Sequence, residues 1–378
     1  MAEPVSEPGL GVRASSINLE GRFAFIDGLR AVAAVAVMLF HFFNHWVSPI
    51  HGALAAILPR GTQFILEHGD LGVEVFFVLS GFVIAHSLFG KAVTPKYAGT
   101  FVLRRSLRLD PPYWTVIAIS LALPCLMFPK MSQNLFTTFG GTAGVAVNMF
   151  YLPDLLWQPR IVGVAWTLCI EVQFYLAFLF LLLVLHGLRA MMRDRNHWIP
   201  AAVAGTIFTL LLSYSVYRWF SMGRNDFGGR WFMFFTGVLS YWTLAGRIDR
   251  RIFLGYIGAI IGLAILFREP RAGMVLLTTL IICASAPMGG LQSWLSGWVF
   301  QYFGRISYSL YLVHMTVGIA AIRLVMRFTH GSNASVFIAL AAAIVVSVLL
   351  ADLLNRFVEI PAMRLSKCFR SPTAVRAG

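Results

Sequence analysis

Residues 25–42 read FIDGLRAVAAVAVMLFHF, and the reading of this stretch decides the fold. Between Arg30 and His41 every residue is Ala, Val, Met, Leu or Phe. The apolar run 26–47 has the length of roughly 20 residues that a helix needs to cross a bilayer. It nevertheless carries Asp27 and Arg30 near one end and His41 towards the other. A charged group inside a spanning helix costs several kcal/mol unless it is paired or wetted, so its presence points to function. On a helix, Asp27, Arg30, Ala34, Met38, His41 and His45 fall within one stripe about 60° wide. Arg30 and His41 are about three turns, or roughly 16 Å, apart along the axis. They share a face and cannot touch.

Composition agrees with a membrane reading. Of 378 residues, 58% are hydrophobic and 12% charged, and the mean hydropathy is +0.75. Soluble domains carry about 25% charged residues. Apolar runs suited to crossing fall at 26–47, 71–90, 110–129, 163–186, 198–217, 230–246, 251–268, 272–289, 307–327 and 334–356. The expected fold is an all-α integral membrane protein, a polytopic bundle of about ten transmembrane helices with both termini cytoplasmic. The run 139–152 is short for a span and reads as re-entrant or interfacial. Residues 1–22 lack the pattern of a cleaved signal peptide and form a polar cytoplasmic segment. Residues 23–363 form the membrane domain, and 364–378 a basic cytoplasmic tail, disordered at its SPTAVRAG end.

The net charge of +14 could suggest nucleic acid, but its distribution excludes that partner. With the N-terminus inside, four basic groups fall on the cytoplasmic face. They are Lys91 to Arg108, Arg189 to Arg195, Arg247 to Arg251, and the tail with Arg364, Lys367 and Arg370. Counting 139–152 as an extra span would invert every later loop. Cys125, Cys169, Cys283 and Cys368 form no CxxC pair, which supports neither a disulfide framework nor a metal site. No repeat of the kind found in inverted-repeat transporters is visible, and no soluble domain accompanies the spans.

Further polar residues sit in or beside the spans. In RRSLRLDPPYW, Arg105 and Arg108 are at i, i+3 and can converge on one object just before Pro111–Pro112 start a helix. Arginine presents a donor fork suited to phosphate; a stop-transfer basic loop is the blander reading. In GVAWTLCIEVQFYLAF, Glu171 lies at a depth comparable to His41 and needs a partner. That partner is either the imidazole or an arginine such as Arg30 or Arg230. Glu74 sits at the mouth of the second span, with Ser80 and Gly81 deeper as packing residues. GRISYSLYLVHM supplies Tyr308, Tyr311 and His314, where interfacial anchoring is the default role of tyrosine. In NRFVEIP, Arg356 and Glu359 read as a surface pair, and Asp27 as an ion-pair partner of Arg30.

Taken in order, FIDGLRAVAAVAVMLFHF with its Arg-x10-His, GVEVFFVLSGFVI, RRSLRL, WTLCIE, GRISYSLYLVH and NRFVEIP resemble the motifs of the membrane-bound acyltransferase-3 family. That family includes bacterial O-acetyltransferases of O-antigen, exopolysaccharide, nodulation factors and peptidoglycan. The likeness covers residues 23–363. It implies a ten-helix core in the bacterial cytoplasmic (inner) membrane that moves an acyl group, acetyl above all, from cytoplasmic acyl-CoA to a hydroxyl of a carbohydrate or lipid-linked glycan. Acyl-CoA is then a co-substrate, with no tightly bound cofactor and no metal. By the same resemblance His41, Glu171 and Arg30 are catalytic and Arg105 and Arg108 bind the donor. Asp27, Glu74, Ser80, Trp166, Tyr311 and His314 are possible supporting residues. Many relatives carry a fused extracytoplasmic domain with a Ser-His-Asp triad; this chain has none, which implies a separate extracytoplasmic partner protein for any step needing one.

These residues permit a scheme. Arg105 and Arg108 hold the donor phosphates, and His41 is the general base on the acceptor hydroxyl. Glu171 orients His41 as the carboxylate of a triad does, and Arg30 fixes the donor or the developing oxyanion. The rival reading is a transporter or flippase that uses the buried His, Glu and Arg as a proton or substrate path.

Overall fold

The computed structural model describes residues 17, 19, 21–127, 134–191, 227–268, 270–329 and 332–369. The expected span 198–217, the first sixteen residues and the end of the tail lie outside them. Among the described residues the chain is helical, with no strand. We label the long helices α1 (Ala24–Phe43), α2 (Gly72–Leu88), α3 (Pro95–Met127), α4 (Trp166–Met191), α5 (Phe227–Leu244), α6 (Arg250–Phe267) and α7 (Pro270–Ser285). Helices α8 (Trp298–Phe328) and α9 (Asn333–Cys368) complete the set. Among the described residues seven helices, all of these except α5 and α6, are long and apolar enough to cross a membrane.

Large apolar side chains face outward on several helices, including Phe180, Leu254, Ile265, Leu280 and Leu349. An aqueous surface would not carry so many, whereas lipid covers them without cost. Helix α1 packs against α8 and α2, and α2 against α5. The α2–α5 contact is close because a glycine stands on each side. A Cβ on Gly81 would strike the backbone of Phe234, and one on Gly237 the backbone of Val78. Membrane helices approach in this way through small residues.

Three features differ from the sequence reading. Helix α3 does not start at Pro111–Pro112. It starts at Pro95, behind Thr94, whose Oγ1 accepts from Tyr97 N at 3.2 Å, and it runs through both prolines. Arg and Leu favour helix, and a backbone at membrane depth must bond to itself. RRSLRL is therefore helical, and the prolines only deprive the Leu107 and Arg108 carbonyls of their i+4 donors. Helix α9 continues to Cys368, so Arg364 and Lys367 lie on it rather than in an irregular tail. Finally, α8 and α9 each contain a π-turn, at His314–Gly318 and Asn355–Glu359.

The segment 139–152 forms a helix, Gly141–Met149, of 9 residues. At about 1.5 Å per residue it falls well short of a bilayer. Asn148 ties it back, accepting from Ile161 N at 3.0 Å and donating to the Pro159 carbonyl at 3.0 Å.

Candidate functional site

Two polar clusters occupy the bundle, one at each end of the α1 stripe. Around Arg30, α3 contributes Arg105 and Arg108, α4 Glu171, and α2 Ser80. Glu171 Oε1 accepts from Ser80 Oγ at 2.8 Å and from Arg105 Nη2 at 3.2 Å, and also from the Tyr175 hydroxyl. Arg105 donates to that hydroxyl too, its guanidinium 4.2 Å from the Tyr175 ring centroid. Arg105 is thereby fixed by a carboxylate, a phenol and a ring.

The other two guanidinium groups are held less completely. Among the described residues neither Arg30 nor Arg108 has a carboxylate within ion-pair distance, and the buried Nε of Arg30, like that of Arg105, has no hydrogen-bond partner. Arg108 feels the like charges of Arg105 and Arg30 and the opposite charge of Glu359. Glu359 is 3% exposed and accepts from Ser309 Oγ at 2.8 Å and Asn355 Nδ2 at 2.9 Å. The unpartnered Nε atoms of Arg30 and Arg105, with the Arg108 guanidinium beside them, are donors that an anionic or carbonyl-bearing ligand would satisfy.

A cavity of about 40 Å³ opens from this cluster. Arg30, Ser80, Glu171 and Tyr308 line one part of it, and Val73, Thr167 and Tyr311 the rest. Tyr311 in turn touches His314, their rings 5.9 Å apart. Of the three arginines Arg30 lines the cavity, and Tyr311 is the lining residue that touches the other cluster.

There, His41 and His314 are in direct contact, His41 Nδ1 lying 3.2 Å from His314 Nε2. His41 Nδ1 is also 2.9 Å from the Val37 carbonyl, and His314 Nδ1 3.0 Å from that of Leu310. His314 is fully buried and His41 partly so. The π-turn that begins at His314 brings Gly318 so close to the Phe42 ring that a Cβ there would clash. π-turns interrupting α-helices recur at functional sites.

Beside the histidines lies an ionic chain. Glu74 Oε1 accepts from Arg230 Nη1 at 2.9 Å, Arg271 lies 3.8 Å from Glu74, and Arg271 reaches Asp70 at 4.0 Å. The Arg230 guanidinium sits 5.1 Å from the Trp166 ring. At the opposite end, past α2, Lys91, Arg104 and Arg247 gather with Tyr97 and Phe89. In the loop after α2, burial and the Arg104 charge pull the Lys91 ammonium below the ordinary lysine value.

Several sequence-level pairings are replaced by others. Glu171 meets Arg105, not His41, Arg30 or Arg230; the carboxylate whose charge acts on His41 is Asp70. Asp27 pairs with Arg22 at 2.7 Å rather than with Arg30. Arg356 pairs with Asp352 at 2.6 Å, which leaves Glu359 inside. The π-turn at Asn355–Glu359 breaks the i, i+3 logic that joined Arg356 to Glu359. Tyr308 and Tyr311 line the cavity instead of anchoring at an interface, and Ser80 is a hydrogen-bond donor as well as a small residue. Arg105 and Arg108 lie inside the bundle, on a continuous helix, rather than in a loop. Tyr175 and Asp70 escaped the sequence reading, and Glu359 figured in it only as a surface partner of Arg356. Tyr175 alone left a signal, standing at i+4 from Glu171 and so on the same face.

Comparison with known proteins is consistent with this arrangement. Residues 23–354 match the family described as "Acyltransferase domain", the acyltransferase-3 family. The acyltransferase MdmB of Streptomyces mycarofaciens is 26% identical, over 91% of this chain and 92% of its own length. Two longer proteins match over part of the chain. The peptidoglycan O-acetyltransferase OatA of Listeria monocytogenes is 28% identical over 42% of this chain, which spans only 24% of OatA. The regulator of hypoxia-inducible factor 1 of Caenorhabditis elegans is 28% identical over 47% of this chain and 32% of its own. No solved structure matches. The family match runs along nearly the whole chain and through both clusters, and the chain belongs to the acyltransferase-3 family.

Proposed function

We propose that this multi-pass membrane protein is an O-acyltransferase that takes an acyl group, acetyl above all, from acyl-CoA and delivers it to a hydroxyl on a glycan. The single observation that carries the reading is the cavity leading from Arg30 and Glu171 to Tyr311, beside the two histidines. Arg30 lines it beside the other arginines, which suit a phosphate-bearing donor, and Tyr311 on its lining touches His314, the neighbour of an imidazole suited to deprotonating an acceptor. The relatives' names, acyltransferase and O-acetyltransferase, agree with it.

The basic loops put the Arg30 end in the cytoplasm, with about ten spans and both termini inside. Acyl-CoA enters there, past Lys91, Arg104 and Arg247. Arg108 and Arg30 supply the unshared donors that hold the donor. Arg105, clamped by Glu171 and Tyr175, keeps that wall in place. His41 takes the proton of the acceptor hydroxyl as its oxygen attacks the thioester carbon. The C–S bond breaks, and the proton passes to the departing thiolate to give free CoA. A cavity of about 40 Å³ holds one or two waters, so thioester binding spreads the lining side chains. The acceptor is a carbohydrate or lipid-linked glycan, and the setting a bacterial inner membrane.

The test uses membranes carrying wild type, His41→Ala or Arg108→Ala, incubated with labelled acetyl-CoA and an envelope-glycan acceptor. Label in the glycan and free thiol appear with wild type and fall sharply in both variants. Full transfer by His41→Ala would remove His41 from the chemistry. Uptake of an acceptor without thiol release would favour a transporter.

A further inference from the structure

The hydrogen bonds around His41 and His314 leave one consistent assignment of protons. A backbone carbonyl only accepts, so His314 Nδ1, facing Leu310 O at 3.0 Å, carries hydrogen. A neutral imidazole holds one ring proton, which leaves His314 Nε2 with its lone pair. That nitrogen faces His41 Nδ1 at 3.2 Å, and His41 Nδ1 also faces Val37 O at 2.9 Å. With acceptors on both sides, His41 Nδ1 carries hydrogen and shares it between them. The nitrogen of His41 left with a lone pair is Nε2.

We propose that His41 and His314 form a two-imidazole base, in which His314 takes the orienting place that a carboxylate fills in a triad. The inference rests on His41 being the base of the acyl transfer. His41 Nε2 accepts the hydroxyl proton; the ring becomes cationic, and its Nδ1–H bond to His314 Nε2 strengthens because the donor is now charged. When Nε2 returns its proton to the thiolate, both rings are neutral again, so atoms and charge balance without a third reagent. His314 touches neither substrate and is a positioning residue. It is the first residue of the π-turn at His314–Gly318. The negative end of the α1 dipole, within a turn of His41, assists the cation. Glu171 does not share this work: among the described residues its hydrogen bonds, all at Oε1, go to Ser80, Arg105 and Tyr175 and none to His41. An apolar medium favours such a pair at rest, because a neutral imidazole costs far less to bury than an unpaired carboxylate.

Two measurements test this on the full-length protein in detergent or nanodiscs. The first is independent of activity: nitrogen-15 shifts of labelled histidine, with His41→Gln and His314→Gln used to assign the rings. Both His41 and His314 are expected as Nδ1–H tautomers. An Nε2–H ring at either position overturns the inference, whatever the protein catalyses.

The second compares His314→Gln, His314→Asn and His314→Phe in acyl transfer. Gln places its amide oxygen near the position of Nε2 and can still accept from His41; Asn reaches only as far as Nδ1, and Phe fills the space without an acceptor. Phe and Asn are expected to lower kcat by about 10- to 100-fold, the worth of a hydrogen bond to a charged group, at unchanged KM for acetyl-CoA. Gln is expected to recover most of that loss. Equal loss in all three, with thermal melting unchanged, overturns the acceptor role of His314. Absence of transfer by wild type with both tautomers as stated counts against the acyltransferase reading and not against the pair.

Discussion

At one end of α1, Arg30 lies among Arg105, Arg108, Glu171 and Glu359, where charges outnumber backbone groups. Three turns away, His41 meets His314, and the remaining partners of both rings are main-chain carbonyls. Both sites are polar groups placed in a bundle facing lipid, yet their solutions differ. The arginine end keeps permanent charges and compensates them only in part, so it attracts a charged ligand. The histidine end holds no fixed charge on its rings and acquires one only when a proton arrives. Binding and proton transfer are thereby separated by about three turns of one helix.

The largest effect should come from the histidine end. Replacing His41 by Ala removes the lone pair that the proposed tautomer leaves on Nε2, and should lower transfer about 10³-fold, within the range for a general base. Stability should change little, since His41 is partly exposed and its hydrogen bonds are to a carbonyl and to a neutral ring. Activity measured beside melting temperature checks both halves. A large loss of stability would erase the contrast with the arginine end.

The reverse pattern is expected at Glu171. Ala at this position strands Arg105 with only the Tyr175 hydroxyl and ring as partners. Leaving a charge without its counter-ion is strongly destabilising when buried. Glu171 is 21% exposed on its side chain, so we expect a smaller cost of about 2 kcal/mol. Thermal unfolding in detergent reads it, and Glu171→Gln, which keeps the Ser80 and Tyr175 contacts, should lose less than Ala. A Glu171→Ala protein as stable as wild type would mean the arginine end does not need its carboxylates.

Arg108 sharpens the point further. Lys keeps the charge but not the donor fork, so Arg108→Lys should raise KM for acyl-CoA about tenfold, or about 1.4 kcal/mol, and leave kcat near wild type. Initial rates against acyl-CoA concentration separate the two constants. A fall in kcat alone would move Arg108 from binding into the chemistry.

How much of this was legible in the sequence follows from the kind of signal each residue left. Long apolar runs announce spanning helices, because lipid demands length and apolarity, and α1, α2, α4 and α8 lie where their runs do. The paired polar ends of α1 were legible for the same reason: an Arg and a His stand out against Ala and Val. Partner choice was not. Depth alone made His41 a plausible partner for Glu171, but rotation about the α4 axis turns that carboxylate to α2 and α3, and no span carries its rotation in its composition. The two π-turns were hidden as well. Each adds a residue to a turn, and His314 and Glu359 therefore face directions that a 3.6-residue count does not give. The helical state of RRSLRL was obscured by Pro111–Pro112, a strong signal in water and a weaker one where the backbone has no solvent to turn to.

Arg356 is where that hidden geometry makes its smallest and cleanest difference. If it paired with the buried Glu359, its loss would unbalance the arginine end and reach Arg108. In the structure it instead bonds Asp352 at 2.6 Å, one turn back, with its side chain 61% exposed. An exposed i, i+4 pair is worth about 0.3–0.5 kcal/mol; with the Asp352 side chain only 14% exposed, Arg356→Ala should shift unfolding by about 1 kcal/mol and leave KM for acyl-CoA untouched. Glu359→Gln should act differently, because that carboxylate answers Ser309, Asn355 and the field of Arg108 at once. Measuring the two variants side by side distinguishes the arrangements. Similar small effects would return Glu359 to the surface, whereas a change in KM at Glu359 alone would bind the end of α9 to the donor site.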